Sequence, residues 1–397
     1  MSISFKYITK RLRQYALTTL VAALAISMTI AVTLAADSLK DSVVYASMPF
    51  DMIVGAKGSA AQLALNAVFL RDTPVGNVDQ AVYERYMNDG RARRIIPLAF
   101  GDSYRGSWIV GSSEALFTLR PSEREPEIFQ IQEGRFFQDK YELVVGSEAA
   151  RRLGLAVGDT VKASHGMSDI LDEELAASRV HNNHIYTVVG ALKPMRRPYD
   201  LGMFASIETF WDIHGGGERG VSAFIVTPWD YVGLMSMYQE LNTGSEAQGV
   251  FPGEVAGDLF GVIGRGEEAL RLVSYAVAAL GFATVILSLY WSVLNRRKEN
   301  AIFRALGAGR STLLRMVVTE SAMVMLVSAP LGLLFGHLVS GFIGLYLRRV
   351  MAVYVPASFS VQELYILAAY AAIGAVGAAL PAASAYRQDV AGLLAGE

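Results

Sequence analysis

Four long apolar stretches punctuate the chain, over about 15–36, 267–294, 313–347 and 364–385, and charged residues flank each of them. A bilayer core is crossed by about 20 consecutive apolar residues in a helix, so each stretch reads as a membrane span. Between the first and second lies a segment of different character, 37–266. There charged, Gly- and Pro-bearing turns alternate with short apolar runs such as ELVVG (Glu142–Gly146), IYTVVGAL (Ile185–Leu192) and SAFIVTP (Ser222–Pro228). Runs of that length bounded by turn residues predict strands. Helical patterns intervene at Val78–Asn88, Ser147–Leu153 and Asp230–Leu241. The segment is long enough for its own core. The expected fold is an integral membrane α-helical bundle of four transmembrane helices, with an α+β extracytoplasmic domain inserted between helices 1 and 2. The first span is expected to continue through Leu39–Ala46, and a helix near Glu267–Leu272 to precede the second, together making a stalk.

Charge orients these spans. Lys6, Lys10, Arg11 and Arg13 occupy the amphipathic segment 1–14, and Arg296, Arg297, Lys298, Arg304 and Arg310 the short segment 295–312, with Arg315 just beyond it. Basic residues concentrate on the cytoplasmic side, so both segments and the tail 386–397 are expected there. Segment 37–266 and the short loop 348–363 then face outward. Arg348 and Arg349 run against that pattern, but at a helix end their stems can snorkel. The basic start and the small residues near Ala36 also fit a signal peptide.

Composition narrows the function class. With 397 residues, 18% of them charged, the chain is more apolar than a typical soluble enzyme. Its net charge of −2 argues against a nucleic-acid partner. There is no cysteine, hence no disulfide or thiolate chemistry. Gly307-Ala308-Gly309-Arg310-Ser311 lacks the lysine and the preceding strand of a phosphate loop, and neither a G-x-S-x-G elbow nor an H-E-x-x-H zinc helix occurs. No catalytic residue is expected.

The run RRKENAIFRALGAGRSTLLRMVVTES, Arg296–Ser321, resembles the segment after the second membrane helix in FtsX/MacB-type ABC transporter permeases. Their pattern, R-R-x-E-x-A-I-x-R-A-L-G-A-x-R followed by an early Glu, falls on Arg296, Arg297, Glu299, Ala301, Ile302, Arg304 through Ala308, Arg310 and Glu320. EGRFF (Glu133–Phe137) and ELVVGSEAARRLGLAVGDTVKA (Glu142–Ala163) are similar to the extracytoplasmic domain of the same permeases. The resemblance implies a bacterial plasma-membrane homodimer with a retained first span, bound to a separate ABC ATPase subunit that carries ATP and Mg. It implies ATPase coupling through Arg297, Glu299, Arg304, Leu306, Gly307, Ala308 and Arg310. The movement would pass to the outer domain and drive export or extraction of a substrate, with a membrane-fusion protein or a substrate-binding partner outside. An alternative is FtsX-like signalling to a partner such as a cell-wall hydrolase.

Three further sets of residues invite a role. Gly332, Gly336, Ser340 and Gly344 repeat every four residues, as do Ser27, Ala31 and Ala35, while Gly374 and Ala378 offer a shorter version. Such stripes let helices approach closely, either within one bundle or across a homodimer seam. Glu320 and His337 are ionisable groups inside a span, expected to face the bundle interior. In the outer segment, Ser164–His184 carries His165, His181 and His184 with Asp172 and Glu173. These could hold a divalent metal, or the segment could be an exposed polar loop.

Overall fold

The computed structural model describes residues 12–122, 124–166, 180–214, 219–295, 302–303, 307–351, 353–355 and 358–386. The chain divides into two compact units. One, the outer domain, is Leu39–Val262 with Leu345–Tyr354; the other, the helical unit, is Met1–Ser38, Ile263–Gly344 and Val355–Glu397.

The first helix, α1, covers Leu12–Ser47. Then come β1 (Met52–Gly55), α2 (Ala60–Ala67), α3 (Gln80–Met87), β2 (Ala92–Tyr104) and β3 (Ser107–Ser112). After them lie β4 (Ile131–Gly134), β5 (Glu142–Val145), α4 (Ser147–Leu153), β6 (Thr160–His165) and β7 (Val180–Leu192). The domain continues with β8 (Met203–Ser206), α5 (Ile207–Ile213), β9 (Ala223–Pro228), α6 (Tyr231–Thr243) and β10 (Gln248–Val250). Three long helices complete the chain: α7 (Pro252–Asn295), α8 (Arg310–Met351) and α9 (Val361–Tyr386).

Among the described residues the strands form one mixed sheet, in the order β10-β1-β9-β2-β3-β8-β5-β7-β4, with β6 bridging β2 and β7. Successive side chains along a strand point to opposite faces. Ile53, Leu98, Phe100, Val110, Val144, Phe204 and Ile225 share one apolar cluster. Their immediate neighbours Met52, Val54, Ala99, Phe224 and Val226 join a second, and Ile109, Leu143, Val145, Met203 and Ala205 a third. Both faces of the sheet are therefore covered. That is why its strands read as unbroken apolar runs rather than as alternation.

The EGRFF run has a physical reading. Gly134 pairs with Gly190 across β4 and β7, and a Cβ on Gly134 would lie 2.1 Å from the Val189 carbonyl oxygen. Its φ of 77° is also left-handed, so only glycine fits without displacement. Arg135 forms a bidentate pair with Glu142, with Nη1 2.6 Å from Oε2, and the backbone N–H groups of Gln138 and Asp139 donate to the same carboxylate. Phe136 and Phe137 stack and edge-pack on Phe117 at centroid distances of 4.2 and 5.1 Å. Helix α4 ends at left-handed Gly154, where the Leu155 N–H returns to the Ala150 carbonyl. The G-D-T turn then locks on β7, because Gly158 N–H donates to Val188 O and Val188 N–H donates to Asp159 O.

Among the described residues, three helices are long and apolar enough to cross a membrane: Ala16–Ser47, Glu268–Asn295 and Arg315–Val350. The expected count of four is not reached by that measure. Helix α9 runs over 26 residues, but the apolar part found in it is the shorter Val361–Val376. The helix containing the first span does run on through Leu39–Ala46, and the helix of the second begins well before Glu267.

Two outcomes follow for the outer domain. Gly134→Ala or Gly190→Ala should cost about 1–3 kcal/mol of stability, through strain and backbone overlap, seen as a lower thermal midpoint of the purified chain. The Arg135 guanidinium holds the Glu142 carboxyl at about 2, below the ordinary 4.5. The stability it adds is complete above pH 4.5 and is lost as pH falls through 4.5 towards 2. Glu142→Gln should therefore lower the midpoint at neutral pH and flatten its decline across that acid window.

Candidate functional site

Of the expected coupling residues, Arg297, Glu299, Arg304 and Leu306 lie outside the described residues. Gly307 has a φ of 96°, and a Cβ built on it would meet nothing within 4 Å. Conformation, not crowding, is what demands glycine there. Ala308 N–H donates to Phe303 O at 2.9 Å, Thr312 N–H to Gly309 O at 3.0 Å, and Arg310 opens α8. The segment thus passes through a left-handed turn directly into the third apolar helix.

The small residues of α8 are engaged inside the chain. A Cβ on Gly332 would lie 2.6 Å from Ile26 Cβ and 2.9 Å from the Ala23 carbonyl oxygen. On Gly336 it would lie 2.9 Å from Ile30 Cγ2, and on Gly344 3.0 Å from Val355 Cβ. Ser340, between them, is buried. Ser27 and Ala31 lie buried on α1, and Gly374 on α9 faces Met325. Of the two readings of this stripe, these contacts fit packing within one bundle: Gly332 and Gly336 lie against α1, and Gly344 against Val355, of the same chain.

Polar side chains bind the helices to one another. His337 Nε2 donates to Glu363 Oε2 at 2.8 Å, since a carboxylate only accepts. The other Glu363 oxygen accepts Ser360 N–H at 2.9 Å, while Ser360 Oγ accepts Glu363 N–H at 3.4 Å. This is a capping box at the start of α9 whose carboxylate also receives the intramembrane histidine. The S-x-x-E spelling ahead of an apolar run was the available signal for Glu363. Glu320 is 2% exposed, so it is buried as expected for an ionisable group in a span. Thr29 of α1 joins Ser274 of α7 and Tyr370 of α9, at 3.0 and 2.9 Å between oxygens.

In the outer domain the two predicted metal residues whose side chains are described, His165 and His184, have different neighbours. His184 stacks on Tyr141 with ring centroids 5.5 Å apart. The His181 side chain, Asp172 and Glu173 lie outside the described residues. His165 instead meets Asp102 and His214: its Nδ1 lies 3.3 Å from Asp102 Oδ1, and His214 Nε2 lies 3.4 Å from the same oxygen. Burial pushes the His214 pKa down, but hydrogen bonding to Asp102 and to the Phe210 carbonyl outweighs it, leaving the value raised. No local spacing announces Asp102 and His214, because strand pairing and a helix end bring them together.

Two other buried charges sit in the same domain. Glu148, 2% exposed, pairs with Arg151 and accepts from Arg348 Nε at 3.1 Å, and the Arg348 guanidinium lies over the Tyr354 ring. Arg348 is thus held by a buried carboxylate. Burial raises the Asp200 pKa, while hydrogen bonds from Met195 N–H, Ser147 Oγ, Arg196 N–H and Arg197 N–H oppose it. A separate cleft of about 680 Å³ includes Asp51, Arg93, Arg94, Arg120, Glu127 and Trp229.

Comparison with known proteins places these parts. The family model for the FtsX-like permease C-terminal region matches residues 271–388, and that for the MacB-like periplasmic core domain matches residues 15–250. The chain belongs to the FtsX/MacB family of ABC transporter permeases. It is 27% identical over 229 residues to an uncharacterized ABC transporter permease of Methanocaldococcus jannaschii, covering 53% of this chain and 52% of that protein. The chain thus spans about half the length of that curated relative. Among solved structures, the periplasmic region of MacB from Actinobacillus actinomycetemcomitans aligns with 53% of this chain and 94% of its own, at 11% identity and a TM-score of 0.35. The extracellular domain of the noncanonic ABC-type transporter YknZ from Gram-positive bacteria aligns with 50% and 98%, at 13% identity and a TM-score of 0.32.

The outer domain described above is accordingly the extracytoplasmic α/β domain of a membrane permease. Permeases of this family are transporter subunits and not themselves enzymes. Their bundle stability is open to test at the α1–α8 contact. Gly336→Leu should destabilise the full permease in detergent by about 1–3 kcal/mol through overpacking against Ile30. Leu338→Ala, at a half-exposed site two residues on, should leave the melting midpoint close to that of the unaltered permease.

Proposed function

We propose that this permease couples ATP hydrolysis by a separate ABC ATPase subunit to movements of its extracytoplasmic domain, driving export or extraction of a substrate at the outer face of a bacterial plasma membrane. One observation supports this above the rest. The basic segment 295–312 falls inside the matched FtsX-like region and enters α8 through the left-handed turn at Gly307. A segment this short has no room for a catalytic core, but it can dock on a partner and carry its displacement into a helix. In this reading α9 is the fourth span, and both chain ends are cytoplasmic. ATP and Mg belong to the partner.

The working unit would be a homodimer bound to two ATPase copies. Its seam would use faces other than the Gly332–Gly336 contact. Helices α1, α7 and α8 each have residues in both compact units, which supports transmission of movement along the chain rather than passage of solute through the bundle. A membrane-fusion protein or substrate-binding protein outside would complete the path.

The test is ATPase stimulation in reconstituted vesicles holding permease and ATPase. Leu306→Asp and Gly307→Val should each reduce stimulation at least about tenfold while the permease remains inserted. Gly307→Asn, which tolerates positive φ better than a β-branched residue, should retain more of it. Stimulation unchanged in both Leu306→Asp and Gly307→Val would rule out docking through this turn.

A further inference from the structure

We propose that Asp102, His165 and His214 form a three-ligand zinc site in the extracytoplasmic domain. The three residues are far apart in sequence, and separate features of the fold deliver each of them. In β2 the register shifts between Phe100 and Asp102, a bulge centred on Gly101. Bulges re-aim the side chain beside them. Beyond it, Asp102 sits directly opposite His165 in the antiparallel pairing of β2 with β6. Residues opposed in this way project to the same face. The pairing is fastened at that end, because Gly166 N–H donates to Gly101 O at 2.7 Å and Ser164 Oγ to Ser103 O at 3.2 Å.

His214 arrives from α5, whose first turn is capped by Ser206 accepting from Thr209 N–H, and whose last residue is followed by His214. Gly101 leaves the space: a Cβ there would lie 3.3 Å from His214 Nε2 and 3.0 Å from the Phe210 ring. His214 Nδ1 is 2.8 Å from the Phe210 carbonyl oxygen, so Nδ1–H donates there and Nε2 is the nitrogen directed at Asp102, where zinc would take the place of the Nε2 proton that the metal-free ring donates to the carboxylate. Ligating histidines are commonly oriented by such a backbone acceptor on the other ring nitrogen.

Distances match the ion. Zinc bonds of about 2.0–2.1 Å in a tetrahedron place neighbouring ligand atoms about 3.3–3.4 Å apart. Both contacts to Asp102 Oδ1 have that length, 3.3 Å from His165 Nδ1 and 3.4 Å from His214 Nε2. All three donor atoms lie within 4.8 Å of one another, so a modest turn of the half-exposed His165 ring closes the third edge. Asp102 is wholly buried, and a carboxylate in that setting favours a cation strongly. Three protein ligands leave one tetrahedral position open, on the solvent side marked by His165. Such a site is suited to exchangeable zinc, or to a ligand that completes its shell.

The experiment uses the untagged full-length permease in detergent, stripped of metal and dialysed against zinc, with bound metal counted by mass spectrometry. One zinc per chain is expected, together with a rise in thermal midpoint that grows with zinc concentration. Cobalt(II) should give the visible absorption of a tetrahedral centre. His165→Ala and His214→Ala should abolish both effects, and the pair His181→Ala/His184→Ala should keep them. Asp102→Asn tests the carboxylate, but its burial makes misfolding a competing cause of loss. His165 is therefore the deciding position, since its side chain is 51% exposed and its metal-free midpoint should match the unaltered protein. Zinc no higher than background in the unaltered permease overturns the site. So does equal zinc binding in His165→Ala, or loss confined to His181→Ala/His184→Ala; in those cases Asp102 serves only as an anionic partner for two histidines.

Discussion

Close approach of backbone to side chain and of backbone to backbone is the constraint on which both units depend. Inside a bilayer, apolar side chains gain nothing by leaving lipid for one another, so helices hold together by contact and by polar links. Gly332 and Gly336 supply the contact by letting α8 reach Ile26, Ile30 and the α1 backbone. The outer domain relies on the same device in water. Gly134 and Gly190 let β4 and β7 meet where any Cβ would strike a carbonyl, and Gly146 sits against the Tyr199 and Asp200 carbonyls. These contacts fix where neighbouring groups are allowed to be.

Buried polar groups then secure what the contacts position. Glu363 serves two helices at once, closing the capping box of α9 and accepting from His337 of α8. Asp200 gathers backbone donors from the 195–197 turn and the hydroxyl of Ser147 at the start of α4. A carboxylate with several donors is hard to replace, because removing it leaves each donor unsatisfied in a place water cannot reach. Thr29, Ser274 and Tyr370 perform the neutral version of the same task between three helices.

Much of the architecture was legible because it rests on local pattern. The runs at Glu142–Gly146 and Ser222–Pro228 became β5 and β9, Ser147–Leu153 became α4, and Asp230, the first residue of the pattern Asp230–Leu241, caps α6. Strand β7 begins five residues before the apolar run that announced it, since Val180–His184 is polar and is recruited by pairing with β6. The short edge strands β4 and β10 had no such pattern of their own. The metal candidates show the limit most clearly. His165, His181 and His184 are close in sequence, yet His184 turns to Tyr141 while His165 meets residues about 50 and 60 positions away, a proximity set by register that no single-segment reading contains.

A sheet covered on both faces has no broad surface left to offer. Three apolar clusters occupy the two sides of the outer domain's strands, so another protein cannot lay a helix across them without displacing the core. Its lateral edges are strands of four and three residues, too short to template a long added strand. Variation tolerated without loss of fold is thereby confined to strand ends and connecting loops. A family built on this domain would diversify what it recognises by changing loops around an unchanging sheet, much as a tool keeps its handle and exchanges its bit.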